Sequence, residues 1–567
     1  MHLTPEKPLA GILAPLFALR SEKDLGIGDT QSLRQFVLWA AENGFRLVQL
    51  LPVNETGADN SPYNAISSVA IDPCTLDLSP GTVPDLTPRA FSQALEGVSP
   101  AALREGPVQY GVVKALKRRI LENAFEGFMQ AEWRHNTARA RKFRAWLKEQ
   151  TGWIEGYALF RTLMDENGTE RWDQWPEAHR TLVTAQAWLD EQKAAFRKTF
   201  ERKTRFFQYV QWIAFTQWSE LKAECDALGV ALMGDVPIGV SYYSSDVFCY
   251  PGIFNLKWSG GAPPEPAYKD DPFIEKWGQN WGVPIYNWEA LRAENFAWWR
   301  QRVQRVREIF HLFRIDHILG FYRMYGFPWR PQLNAEFAPL TLDEARARTG
   351  GDLPHFIPRD DSTWENREAN RREGDEYLRA LLSEVGENRL IGEDLGVVPD
   401  YVRPNLTALG IAGFKIPQWE RRQDWHLVAG RDYPRLSVTT YATHDHLPLA
   451  AFWEQMRRAA EAGDGHQRWE MEQLCGFAGF GLDGLKPFTD QIHEALLAGL
   501  FQSNSWLAVV MITDVFGETT RFNVPGAVAD SNWSNRVSGT PEEWRKDPER
   551  AAKMARIQAL VHASGRA

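Results

Sequence analysis

Cysteine is scarce. Cys74, Cys225, Cys249 and Cys475 are the four in 567 residues, and they form no CxxC pair and no metal-like spacing. That excludes a disulfide framework and points to a reducing compartment. Long apolar runs are also missing. No stretch reaches ~18 consecutive apolar residues, so no transmembrane helix and no membrane partner is expected. The apolar segment 9–19 lacks the features of a secretory signal. Glu6 sits beside Lys7 ahead of it, Pro15 interrupts it, and Arg20-Ser21-Glu22-Lys23 stands where small cleavage-site residues belong. It reads as a buried strand, and a cytoplasmic protein is expected. Positive charge is in deficit: 64 Lys and Arg against 73 Asp and Glu leave a net charge of −9. A nucleic-acid partner is therefore not expected. There is no internal repeat and no low-complexity tract. With 44% apolar and 24% charged residues, the chain is not disordered.

Aromatic residues are abundant. They make up 12% of the chain, with 24 Trp, 15 Tyr and 31 Phe. One reading is a large, Trp-rich core. The other is carbohydrate binding, because sugar rings present C–H patches that lie flat on indole faces. Composition does not choose between them.

Eight short apolar runs recur along the chain: 12–19, 45–53, 230–240, 312–318, 390–395, 411–416, 437–443 and 506–515. Several are continuous rather than alternating, as strands buried on both faces should be. Most are separated by helical patterns. Residues 31–43 carry Leu33, Phe36, Val37 and Ala40 at helical spacing, with Asp29 and Thr30 as candidate caps and Gly44 as a stop. Trp299, Val303, Val306 and Phe310 form another stripe, leading into Arg314-Ile315-Asp316-His317. Eight strands alternating with helices predict an α/β protein with a parallel (β/α)8 TIM barrel. A doubly wound open sheet is the alternative, although no GxGxxG follows the first strand. The chain is read as one catalytic barrel over 1–567 with large, mostly helical insertions at the C-terminal face. These are expected over 55–229 after strand two (helical in its later part), 241–298 after strand three and 319–388 after strand four. Insertions of this length are usually functional.

Four strand-like runs end in carboxylates: Asp235, Asp316, Glu393 and Asp445. A carboxylate at the end of an apolar strand is costly to bury without a partner. Each alone suits a helix cap. Four together at one barrel mouth suit glycoside chemistry, in which one carboxylate attacks the anomeric carbon and another protonates the leaving oxygen. Arg314 and Asp316 are two apart and share a strand face. The guanidinium is expected to keep Asp316 ionised, as a nucleophile must be. Asp394 and partial burial are expected to raise the Glu393 pKa, which suits a general acid. His444 is either a sugar-hydroxyl ligand or a core histidine.

Seven motifs occur in order: Ser61-Pro62-Tyr63, Gly234-Asp235-Val236-Pro237-Ile238, Gly278-Gln279-Asn280-Trp281-Gly282, Arg314-Ile315-Asp316-His317, Gly392-Glu393-Asp394-Leu395-Gly396, Thr443-His444-Asp445 and Asn523-Val524-Pro525-Gly526. Together, from about residue 10 to 536, they resemble the 4-α-glucanotransferases (amylomaltases, or disproportionating enzymes) of glycoside hydrolase family 77. The resemblance implies a retaining α-glucan transferase on a (β/α)8 barrel. It implies Asp316 as nucleophile, Glu393 as acid/base and Asp445 as transition-state stabiliser. Arg314 and His444 match substrate-holding residues, and Tyr63, Asp235, Gln279, Trp281 and Asn523 match glucan-contacting ones. The segment 250–286 resembles the family's mobile loop beside the cleft.

Three features depart from the pattern. Val283 and His446 stand where many members have Asn, and Glu393 lies 77 positions beyond Asp316, a longer segment than in compact bacterial members. Segments 278–282 and 316–321 look closer to the plant cytosolic disproportionating enzyme. The expected partners are maltooligosaccharides and other α-1,4-glucans, with no cofactor and no metal. An α-glucan hydrolase on the same barrel and a non-catalytic glucan-binding protein are the rivals.

Overall fold

The computed structural model describes residues 1–265, 271–526 and 531–567. Parts of the expected mobile loop and of the segment after Asn523, residues 266–270 and 527–530, lie outside the described residues. Among the described residues, twelve strands are numbered in chain order: β1 Leu9–Leu13, β2 Leu47–Gln49, β3 Ala231–Val236, β4 Phe254–Ala262, β5 Gln279–Tyr286, β6 Leu312–Ile315, β7 Met324–Phe327, β8 His355–Ile357, β9 Leu390–Gly392, β10 Gly413–Lys415, β11 Ser437–Thr439 and β12 Leu507–Met511.

Eight of them form one parallel sheet in the order β10-β11-β12-β1-β2-β3-β6-β9. The two ends meet where the Gly392 N–H donates to the Ala412 carbonyl at 2.9 Å, beside a parallel bridge between Ile391 and Ala412. The result is a (β/α)8 barrel. Each of the eight apolar runs contains or overlaps one of these strands. The strands are shorter than the runs, because the apolar residues beyond their ends leave the ladder and pack the loops over the barrel mouth. The segment 12–19 is an example: after Leu13 the chain passes Pro15 and winds into a short 3-10 turn, Leu16–Ala18.

The helices follow their sequence signals. Helix Thr30–Glu42 starts at Asp29, whose carboxylate accepts the Ser32 N–H, an N-cap that satisfies a free helix-end donor. Helix Ala297–Ile309 buries Trp299 and Val303 and delivers the chain to β6. The long segment after β2 is helical in its later part and ends in a helix of 35 residues, Ala194–Leu228.

The segments after β3 and β6 are not simply loops and helices. β4, β5, β7 and β8 form a four-stranded antiparallel sheet in the order β5-β4-β7-β8. The sequence hid it because β4 carries Gly260 and Gly261 and its pairing with β5 is irregular. A Cβ on Gly261 would stand 1.9 Å from the Gln279 carbonyl oxygen, so only glycine lets these strands close.

Tryptophan is divided between the core and the surface. Trp39, Trp175, Trp218, Trp299, Trp453, Trp506 and Trp544 are fully buried, whereas Trp281, Trp364, Trp419 and Trp425 are exposed. Among the described residues, no helix is long and apolar enough to cross a membrane.

Candidate active site

A cleft of about 760 Å³ opens at the C-terminal end of the barrel strands. Tyr63, Gln279, Trp281, Arg314, Asp316, Glu393, His444, Asp445 and Asn523 all line it. Chain topology explains the convergence. Arg314 lies within β6 and Asp316 just beyond it; Glu393 follows β9, the 443–446 turn follows β11, and Asn523 lies beyond β12. Tyr63 descends from the β2 insertion, while Gln279 and Trp281 hang from β5 of the added sheet.

Asp235 is the exception. It was expected to contact glucan, but its side chain is fully buried beneath the cleft. One of its oxygens, Oδ2, accepts from Arg314 Nη1 at 2.6 Å and from Tyr63 Oη at 2.7 Å. Asp235 lies inside β3 rather than past its end, so its carboxylate faces the barrel interior and holds two cleft residues in place.

One guanidinium organises three acids. Arg314 also pairs through Nη2 with Asp316 Oδ1 at 2.9 Å and lies 3.8 Å from Glu393 Oε2. Both oxygens approach the same nitrogen, so the sum of those lengths caps their separation. The cap applies to the facing pair of oxygens, Asp316 Oδ1 and Glu393 Oε2, and is compatible with the ~5–5.5 Å carboxyl separation of retaining glycosidases.

The electrostatics refine the sequence argument. Arg314 alone does not keep Asp316 in the ordinary aspartate range. Burial, with repulsion from Glu393 and Asp445, outweighs the attraction of Arg314 and His444 and pushes Asp316 up to about 6. Its carboxyl is still 28% exposed to the cleft and is largely ionised at neutral pH. Burial also raises Glu393, with Asp394 adding to the effect against Arg314 and two backbone donors. Those donors are the His317 N–H on Oε2 at 2.7 Å and the Leu395 N–H on Oε1 at 3.0 Å. Asp394 itself turns away, accepting from the Phe414 N–H and from Arg403 Nε. Asp445 goes the other way. Burial opposes its charge, but His444, Asn523 and His446 prevail and hold it well below the usual carboxylate range. His444 Nε2 lies 3.3 Å from Asp445 Oδ2, and Asn523 Nδ2 donates to Oδ1 at 2.6 Å. The environments of Glu393 and Asp445 are thus pushed apart.

Aromatic rings shape the walls. Tyr63 stacks on His444 with centroids 5.1 Å apart, and Trp533 leans on both. Trp281 stands edge-on to the His317 ring at 4.9 Å, and Trp419 does the same to His446 at 5.0 Å. Sequence reasoning missed Trp419, Trp533 and His317 as cleft residues. For His317, adjacency to Asp316 was the available signal. Its left-handed backbone, φ 46°, aims its N–H at Glu393, an arrangement uncommon for a non-glycine residue and typical of functional sites. His446, noted only as a departure, accepts from the Thr443 N–H at 3.0 Å and so closes the turn carrying Asp445. Among the described residues, no group of three or more His, Cys, Asp or Glu side chains is disposed to hold a metal ion.

Comparison with known proteins identifies the family. The family model for 4-alpha-glucanotransferase, glycoside hydrolase family 77, matches residues 14–541. The chain belongs to the 4-alpha-glucanotransferase family. A 4-alpha-glucanotransferase from Chlamydia caviae is 30% identical over 548 residues, covering 94% of this chain and 92% of that relative. A rice 4-alpha-glucanotransferase is 34% identical over 331 residues, which is 56% of this chain but 32% of the rice protein. Among solved structures, an amylomaltase from Streptococcus agalactiae in complex with acarbose superposes with a TM-score of 0.75 at 22% identity, covering 99% of this chain and 100% of that one. That likeness shows the shared fold. As a member of the 4-alpha-glucanotransferase family, this chain is an enzyme.

Proposed function

We propose that Asp316, Glu393 and Asp445 carry a retaining transfer of α-1,4-linked glucosyl or maltooligosaccharyl units to the 4-hydroxyl of an acceptor glucan. Asp316 attacks the anomeric carbon of the donor as Glu393 gives its proton to the departing 4-oxygen, leaving a glycosyl ester on Asp316. The acceptor then enters. Its 4-hydroxyl loses a proton to Glu393, its oxygen bonds to the anomeric carbon, and Asp316 departs as carboxylate. Asp445, held ionised, offsets positive charge at the sugar ring in both steps. Tyr63, Arg314, His444, Gln279, Trp281 and Asn523 hold sugar units, and Asp235 fixes Arg314 and Tyr63. The observation that carries this reading is the pair of distances from Arg314 Nη2, 2.9 Å to Asp316 and 3.8 Å to Glu393. The scarcity of cysteine favours a cytoplasmic setting, and maltooligosaccharides or glycogen-like glucans are the proposed substrates.

The fate of maltotriose tests it. The segments after β2, β3 and β6 wall the cleft and position an acceptor hydroxyl, which gains orders of magnitude in effective concentration over unassisted water. Maltotriose alone is expected to give glucose together with maltopentaose and longer chains, at nearly constant total reducing ends. A steady climb in reducing ends, with no product longer than the substrate, identifies a hydrolase instead. An unchanged substrate identifies a binding protein.

The pH profile gives a second check. Asp316 and Asp235 are both pushed up to about 6 and titrate as a set. As pH falls through that value Asp316 gains a proton and loses its nucleophilic lone pair. The acid limb of kcat/KM on maltotriose, which reports the free enzyme, is expected near pH 6. A limb near pH 4, where an ordinary aspartate titrates, would show that Arg314 and His444 outweigh burial at Asp316.

A further inference from the structure

Of the exposed tryptophans that do not line the cleft, Trp364 and Trp425, the second stands on a hydrogen-bonded mount beside it. After β10, Pro417–Trp419 form a single turn that puts Trp419 on the cleft wall, 50% exposed. The chain then folds back on itself. Arg421 bridges antiparallel to Leu427, the Arg422 N–H donates to the His426 carbonyl at 2.9 Å, and the Val428 N–H donates to the Glu420 carbonyl at 2.8 Å. Trp425 stands at the tip of this hairpin, 72% exposed. Its backbone is left-handed, φ 68°, which a bulky side chain adopts only where surrounding contacts impose it.

Arg421 imposes it. Its guanidinium donates to the Trp425 carbonyl at 3.1 Å and to the Gln418 carbonyl at 3.0 Å, pairs with Glu470 and stands 5.3 Å over the Trp469 ring. Gln418 in turn donates to the Tyr441 carbonyl at 2.6 Å, close to the turn that holds Asp445. One side chain therefore ties the displayed tip to the cleft wall and to helix Gly465–Phe477. Beside the tip, His426 leans on Trp469 at 6.0 Å and hydrogen-bonds Gln473 at 2.8 Å, and His466 stacks on Trp469 at 6.1 Å.

We infer that this ridge is a second binding surface for α-glucan, taking the part of a long chain that runs out of the cleft past Trp419 onto Trp425 and Trp469. The inference rests on the glucan-transfer reading of the cleft. Three observations carry it. First, Trp419 and Trp425 are six positions apart, a reach of at most ~20 Å of chain, which a few consecutive glucose units span. Second, the neighbours of the exposed indole are Arg422, Gln423, Asp424 and His426. An apolar protein partner calls for a contiguous hydrophobic patch. An isolated indole among planar polar side chains suits a sugar ring, which offers C–H groups to the face and hydroxyls to the rim. Third, the mount is braced by the hydrogen bonds of Arg421 and of the hairpin, which lowers the cost of ordering the tip on binding.

The test uses the intact enzyme with glycogen and amylose as probes. Wild type is expected to be retarded in a native gel cast with glycogen. Trp425→Ala should lose most of that retardation, and Trp425→Phe, which keeps a ring, should retain part of it. Removing one indole face from water against a sugar ring corresponds to roughly a five- to tenfold change in affinity. The ratio of kcat/KM on amylose to kcat/KM on maltotriose should fall in Trp425→Ala by the same factor. A purely structural role for Trp425 would lower both rates together and leave the ratio unmoved. Retardation of Trp425→Ala equal to wild type, or an unchanged ratio, overturns the proposal. So does a change in oligomeric state without a change in retardation, which would make the ridge a protein interface. Loss of retardation in Trp425→Ala alongside a wild type that leaves maltotriose intact keeps the surface and overturns the transfer reading instead.

Discussion

Asp316→Asn is expected to remove turnover of maltotriose, by on the order of 10⁴-fold or more, while leaving the fold intact and slightly more stable. Asparagine preserves the shape and an oxygen for Arg314 Nη2, but it has no charge with which to form a glycosyl ester. The stability effect follows from the crowding of acids. In the folded protein Asp316 is pushed up to about 6 by burial and by Glu393 and Asp445, against ~3.9 for an unperturbed aspartate. A carboxylate with a raised folded pKa weakens the fold once both states are ionised, and the penalty accumulates as pH rises from about 4 through about 6. The amide escapes it. Thermal unfolding at pH 7.5 should show Tm higher by about 1–3 °C in the variant, and the difference should vanish near pH 4, where the native carboxyl is protonated. Residual activity above a few per cent would remove Asp316 from its role. A Tm several degrees lower would show that its bond to Arg314 outweighs the repulsion.

Arg314→Met carries the largest expected stability loss. The guanidinium is buried and reaches Asp235, Asp316 and Glu393 together, at 2.6, 2.9 and 3.8 Å. Methionine fills much of the volume and leaves three carboxylates facing one another. Removing one partner of a buried ionic network typically costs about 3–5 kcal/mol. The sign with pH is fixed: without the cation all three acids rise further, so the deficit is greatest at pH 8 and shrinks as acid neutralises them. Urea unfolding at pH 8 and pH 5.5 measures both values. Adding Asp235→Asn should restore part of the loss at pH 8, because it removes the carboxylate closest to the missing cation, and the two changes should be strongly non-additive. Arg314→Lys should recover less than its charge suggests, since one ammonium cannot reach Asp235 from one side and Asp316 from the other as the two Nη atoms do. Equal stability of Arg314→Met and wild type at pH 8 would mean that these acids are already neutral in the native protein.

Legibility differed from element to element for physical reasons. The barrel strands were readable because parallel strands buried on both faces need continuous apolar runs. Their order around the barrel then followed from alternation with helices. The antiparallel sheet was not readable. β4 and β5 pair irregularly around Gly260 and Gly261, so the period-two pattern that marks a half-exposed strand is broken where it matters. Helix Thr30–Glu42 was readable to within a residue because Asp29 caps it through a local contact, which sequence spacing encodes directly.

The same division runs through the site. By itself, the sequence determined that Asp316, Glu393 and Asp445 meet at one mouth, since a charge ending an apolar strand has few other places to go, and that the chain carries the motifs of a glucan transferase. Only the tertiary structure decided that Asp235 lies under the cleft rather than in it, that one Arg314 serves three acids, and that Asp316 sits near 6 rather than lower. It alone decided that the His317 backbone holds Glu393, and that Trp425 is displayed while Trp453 is buried. These depend on distances between residues tens to hundreds of positions apart. Ionisation in particular depends on the sum of burial and every nearby charge, and no local pattern of residues carries that sum.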